Sequence, residues 1–177
     1  HRISPIPLTV QAFVDFGDVV EASPVKMFSI NKGTTNRFHD LANIDVERDG
    51  GRPVVNIFRG TPYPFPLTIR MMEKHPLGSQ FFMPLDPFDY LVAVAEAKST
   101  VMPEDVLVFS CSHKLGVNFK PGVWHHPLLV LAEQQDFLVI DRAGAGENLV
   151  EQDLASPIMV DLDENNPQGR LEPRPRQ

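Results

Sequence analysis

The chain has 177 residues, one cysteine and a formal charge of -7. One core of that size needs no disulfide staples, and a single cysteine excludes both a disulfide framework and a cysteine-rich zinc site. The acidic balance, with a pI near 5.3, argues against a phosphate-backbone partner, which needs a basic face. No apolar run approaches the roughly 20 residues of a membrane-spanning helix, and the first residues lack a basic-then-apolar leader pattern, so a cytoplasmic chain is expected.

Seventeen prolines and eleven glycines leave few windows for a helix and favour short strands joined by turns. Ile6 to Val10 is an apolar start; a short helix follows, capped by Thr9 and stopped by Gly17. Asp18 to Glu21, Val25 to Asn31 and Arg37 to Val46 read as strands. Asp49-Gly50-Gly51 is a turn signal, which predicts a hairpin from Asp45 to Arg59. Thr61-Pro-Tyr-Pro-Phe-Pro66 lacks too many amide donors for a sheet interior and reads as an ordered crossing. Leu67 to Lys74 and Phe81 to Leu85 flank His75-Pro-Leu-Gly-Ser79, and Tyr90 to Glu96 and Val106 to Cys111 are further strands. Cys111 reads as a buried, inert thiol.

Gly116 to Pro127 crowds an amide, an ammonium, an indole and two imidazoles between apolar segments. Pro121-Gly122 suits the centre of a type II turn, which delivers Trp124 and His125 onto the next strand. Strand alternation lets only one of His125 and His126 face inward. Leu128 to Glu133 and Asp136 to Asp141 then predict a hairpin across Gln134-Gln135. Beyond Arg142, Ala143 to Asn148 is a loop, Ile158 to Leu162 a late strand, and Asp163 to Gln177 a polar stretch lying extended against the body or a neighbour. The whole chain is thus expected to be one domain, residues 1–177, with an extended tail from about residue 143.

About ten strands in one domain predict an all-β sandwich or barrel. Glu73-x-His75-x4-Gln80 and Pro121-Gly-Val-Trp-His125 fall at corresponding places in it. They resemble the two metal-ligand patterns of cupins, double-stranded β-helix barrels, with Glu for the first His, Gln for the Glu and one residue fewer before Gly122. Few short helices are expected beside the barrel.

The runs Arg37-Phe-His-Asp-Leu-Ala42, Leu67-Thr-Ile-Arg-Met-Met-Glu-Lys-His-Pro-Leu-Gly-Ser-Gln80, Gly116-Val-Asn-Phe119, Gly122-Val-Trp-His-His-Pro-Leu128 and Asp136-Phe-Leu-Val-Ile-Asp-Arg142 resemble bacterial ureidoglycolate lyases over about residues 5 to 142. The resemblance implies a homodimeric cupin-like enzyme of allantoin breakdown, part of purine catabolism. It would cleave (S)-ureidoglycolate to glyoxylate and urea, with nickel or another divalent ion in some members. Relatives commonly read Asn-Tyr-His-Arg where this chain has Asn-Phe-Lys-Pro121.

That substrate carries a carboxylate, a hydroxyl and a ureido nitrogen on one carbon. Arg59 or Arg70 is expected to anchor the carboxylate with a planar fork. His125 is expected to be the general base or a metal ligand, with Glu73 and Lys120 as further acid–base groups; Lys120 would replace the family's missing histidine. Asn118 would orient a carbonyl or the ureido group, Trp124 would wall the cavity, and His39 would reach its own site or a partner's. His75, His125, Glu73 and Gln80 could hold a divalent ion, although Gln is a weak ligand for transition metals. Two other readings stay open. One is a catalytically silent barrel that binds a small carboxylate or sugar, and the other is a sugar-nucleotide epimerase barrel with an aromatic cleft.

Overall fold

A computed structural model describes residues 1–162. Among them fifteen strands accompany one turn of α-helix. The larger sheet has the spatial order β1 (Arg2–Ile3), β15 (Val150–Val160), β7 (Thr68–Lys74), β12 (Trp124–His125), β9 (Tyr90–Ala95), β10 (Leu107–Cys111) and β2 (Ile6–Pro7), with β13 (Leu129–Val130) also on β9. The smaller sheet runs β3 (Gly17–Val20), β11 (Gly116–Phe119), β8 (Gln80–Pro84), β14 (Gln135–Ala143) and β6 (Arg52–Gly60). A separate hairpin joins β4 (Met27–Ile30) to β5 (Thr35–Phe38). This is an all-β, cupin-like architecture of two curled sheets.

Both sheets contribute inward residues to one core that includes Phe82, Tyr90, Val92, Phe109, Val117, Phe119 and Val139. Each such fully buried side chain stabilises the fold by roughly 1.5–3 kcal/mol. A second cluster, with Ile69, Met72, Ala93, Val108, Trp124 and Ile158, covers the opposite face of the larger sheet. Strand β9 is therefore buried at all six positions, which is why it reads as a continuous apolar run and not as an alternation. No helix among the described residues is long and apolar enough to cross a membrane.

Local turn chemistry behaves as the sequence predicts. Thr9 Oγ1 accepts from the Ala12 amide at 3.1 Å and caps the helix α1 (Val10–Phe13). Gly122 has φ +82°, and the Val123 amide donates to the Lys120 carbonyl at 3.2 Å, so Pro121-Gly122 forms the expected turn.

Pairing partners differ from the expected ones. The strand predicted over Arg37 to Val46 stops at Phe38: Asp40 has φ +54°, outside the extended region, and further on the backbone of Asp45 makes two hydrogen bonds with Ser79. That removes the first arm of the Asp45–Arg59 hairpin, and β6 pairs instead with β14 along nine residues. Leu129 and Val130 bind the edge of β9, whereas Gln135 begins β14 in the other sheet, so the hairpin across Gln134-Gln135 is a corner between sheets. The expected late strand Ile158 to Leu162 is the end of the 11-residue β15, which pairs with β7 through an irregularity between Asp153 and Ile158. Residues 150–160 thus belong to the body, and the stretch expected to lie extended from Asp163 to Gln177 is outside the described residues.

Candidate active site

Strand register sets the centre of the site. Glu73 of β7 and His125 of β12 are Cα partners in the antiparallel ladder, and same-face partners hold their side chains within reach of each other. His125 Nε2 lies 3.5 Å from Glu73 Oε1. His75, one residue beyond β7, brings its ring to 5.2 Å from that of His125. Phe119 of β11 stacks on His125 at 4.5 Å and 15°, fixing the imidazole plane. One ligand atom from each of Glu73, His75 and His125 lies within 4.8 Å of the others.

Backbone carbonyls decide which ring nitrogen each histidine presents. His125 Nδ1 is 3.1 Å from the Val123 carbonyl, and His75 Nδ1 is 2.6 Å from the Asn148 carbonyl. A carbonyl only accepts, so both Nδ1 atoms carry a proton, and each ring turns its Nε2 to the cluster. Both Nε2 atoms are buried and have no hydrogen-bond partner. Orphaned buried acceptors are costly. Two imidazoles oriented by backbone carbonyls beside a carboxylate are a fitting donor set for a divalent transition ion.

The electrostatics agree with that geometry. Burial pushes the Glu73 carboxyl up, but contact with His125 and the nearby rings of His75 and His126 outweigh it and leave the pKa below its ordinary value. Burial, with the neighbouring His125 ring adding to it, lowers the pKa of His75; burial likewise lowers that of His126.

Glu73 and His125 sit at one wall of a cavity of about 680 Å³. Glu73, Gln80, His125 and His126 are its polar wall, and Phe58, Phe82, Val117, Phe119 and Leu128 supply apolar surface. Residues Thr61 to Pro64 of the proline-rich crossing close another side. Gln80 Oε1 is buried without a partner among the described residues, and Gln80 lines both this cavity and the smaller one that holds Asp141. His75 instead lines a smaller cavity of about 290 Å³, shared with Gln80, Asp141, Arg142 and Asn148.

Several expected site residues lie elsewhere, each for a local reason. Asn118 points to the other face of β11, where its amide donates to Asp18 and to the Asn43 carbonyl, each at 2.9 Å. Lys120 turns away, and its ammonium donates to the Val14 carbonyl at 2.6 Å. Trp124 alternates with His125 and enters the second core, where its indole N–H donates to the Lys98 carbonyl and the Lys74 ammonium sits 4.2 Å over its ring. It does not wall the cavity. Arg70 is exposed and outside the lining. Arg59 reaches the cavity rim, but its fork is held by Asp136 at 2.7 and 2.8 Å, so it is not a free anchor. His39 is exposed on the β4–β5 hairpin, edge-on to Phe28.

One polar lining residue, His126, was missed by the sequence reading. His126 also lines the cavity, with its Nδ1 on the Pro127 carbonyl at 2.9 Å and its ring edge-on to Tyr63 at 5.2 Å. Strict alternation had placed it outside. However, β12 ends at His125, and Pro127, which cannot continue a ladder, was the available signal.

The fold and site define an all-β, cupin-like protein with a carboxylate–imidazole cluster beside an open cavity. The family model for ureidoglycolate lyase matches residues 1–161, and the chain belongs to that family. It is 51% identical over 154 residues to a ureidoglycolate lyase of Burkholderia mallei (strain NCTC 10229), covering 87% of this chain and 90% of that protein. Over 154 residues it is 47% identical to one from Rhizobium leguminosarum bv. trifolii (strain WSM2304), covering 87% and 92%. Over 145 residues it is 47% identical to one from Azotobacter vinelandii, covering 82% and 87%.

Proposed function

We propose that this chain is a lyase that eliminates urea from ureidoglycolate, leaving glyoxylate, as a homodimer in the cytoplasm. Family membership supports the reaction. The observation that carries the site is the convergence of the Glu73 carboxylate and His125, on the cavity wall, with His75 beside them, the Nε2 atoms of both histidines being buried without a hydrogen-bond partner among the described residues. No observation favours a silent binding barrel.

The reaction moves one proton. The substrate hydroxyl loses it as the carbonyl forms, the carbon–nitrogen bond breaks, and the departing ureido nitrogen gains it, so no water is consumed. Glu73, His75 and His125 would hold a divalent ion. Such an ion supplies the positive charge that the substrate's carboxylate and hydroxyl oxygens require and lowers the hydroxyl pKa. With His125 in that cluster, His126 carries the proton. Burial keeps its ring neutral near pH 7, and its Nδ1–H is tied to Pro127, so Nε2 is the atom that accepts from the hydroxyl and donates to the leaving nitrogen. Gln80 Oε1 accepts from a ureido N–H. Phe82, Val117 and Phe119 keep the reacting carbon away from bulk water.

A glyoxylate assay before and after chelator treatment tests this reading. Turnover should be lost and then restored by adding a divalent transition ion. Full turnover in the metal-stripped protein would remove the cluster from the mechanism.

A further inference from the structure

Among the described residues two apolar surfaces are uncovered, and they do not meet. The first is the outer face of the smaller sheet. Phe82, Val117, Phe137 and Val139 point into the core, so the alternate residues of the same strands point outward. The ladder places Met83, Leu138 and Ile57 side by side, and beside them Phe81, Ile140 and Val55. Val55 and Ile57, on the edge strand β6, are 69% and 56% exposed. A long apolar edge strand without cover is a pairing or aggregation hazard, and proteins normally bury or charge it.

The second surface is the β4–β5 hairpin. Its strands pair only with each other, and the side-chain hydrogen bonds of Asn31, Thr34 and Lys26 stay within residues 26–40. Val25, Met27 and Phe28 are nevertheless exposed. An isolated two-stranded hairpin is marginally stable in water, so an apolar one that stands off the body needs a surface to lie on. Residues 24–38 contain Lys26, Lys32 and Arg37 and no carboxylate. Removing this +3 from the chain's -7 leaves -10 on everything else.

We propose that the hairpin is an exchanged arm: residues 24–38 of each chain dock on the outer face of the smaller sheet of a second copy. Charge complementarity selects this occupant, since a basic arm meets the acidic body of the same sequence. A reciprocal exchange closes as a two-fold dimer and uses both apolar surfaces on both copies, whereas a one-sided contact would run on into a filament. Two patches on the order of a few hundred Å² each bring every copy near the roughly 800 Å² per partner of a stable interface. The arm assignment rests on the homodimer reading and is independent of the catalytic one.

Mixing two single variants of the full chain, Ser29→Cys on the arm and Val55→Cys on the face, tests the arrangement under mild oxidation. Cys111 is buried and does not compete. A disulfide-linked dimer should form in the mixture and in neither variant alone. Light scattering should show a dimer for the unmodified chain, and Phe28→Asp and Ile57→Asp should each weaken it at least tenfold with the far-ultraviolet circular dichroism spectrum unchanged. Self-linked Val55→Cys, meaning face on face, would overturn the arm assignment but keep the dimer. A dimer without the mixed disulfide would overturn it too, and a monomer at all concentrations would overturn both.

Discussion

Adding a divalent transition ion to the metal-stripped protein should raise its thermal midpoint by a calculable amount. The folded chain presents three donors within 4.8 Å of one another, and two of them, His75 Nε2 and His125 Nε2, are buried and unpartnered. The unfolded chain scatters those groups over a 53-residue span of sequence, so the ion binds the native state almost exclusively. At a hundredfold excess over its dissociation constant it stabilises by about 2.7 kcal/mol. For a domain of this size each kcal/mol moves the midpoint by roughly 2–4 °C, which gives a rise of about 5–11 °C. Differential scanning fluorimetry with nickel and zinc, each against magnesium, reads it directly. His75→Ala and His125→Ala should each remove most of the rise, while Lys120→Ala should keep it. No rise at millimolar ion, or an undiminished rise in His125→Ala, would refute the ligand assignment.

Other outcomes follow from side-chain placement. Trp124→Phe should lose the hydrogen bond to the Lys98 carbonyl, about 1 kcal/mol, and leave turnover close to that of the unmodified chain, because the indole lies in the second core. Cys111 should resist thiol reagents until the chain unfolds, since burial raises its thiol pKa far above the ordinary value. Burial depresses the pKa values of His75 and His126. Between those values and about 6.5 the unfolded chain binds protons that the native chain refuses. Stability should therefore rise with pH through that window, and the thermal midpoint of the metal-free protein should be lower at pH 5 than at pH 7. His126→Gln should flatten the slope.

Signals that act within a few residues were legible in the sequence. The Thr9 cap, the Pro121-Gly122 turn, the buried Cys111 and the all-β class each depend on local chemistry. Pairing partners were not legible, because a period of two names a strand's faces and not its neighbour. Nothing near Arg59 shows that Asp136, 77 residues away, takes its guanidinium. Likewise, Asn118 and Lys120 lie in the right stretch of sequence, but Asn118 is on the outer face of β11, and the Val14 carbonyl draws Lys120 aside. Glu73 and His125 could be paired in advance only through the cupin-like spacing, which the observed register of β7 against β12 explains. His126 was lost to the assumption that a strand continues up to Pro127.

The direct test of the central claim is to supply ureidoglycolate labelled with nitrogen-15 and follow the label by nuclear magnetic resonance, comparing the unmodified chain with His126→Ala. The account predicts that all label appears in urea, with one glyoxylate per urea, and that His126→Ala slows this by roughly 10²–10⁴-fold. Label appearing first in ammonia, without urea, would contradict elimination. Unchanged turnover in His126→Ala would contradict the proton carrier.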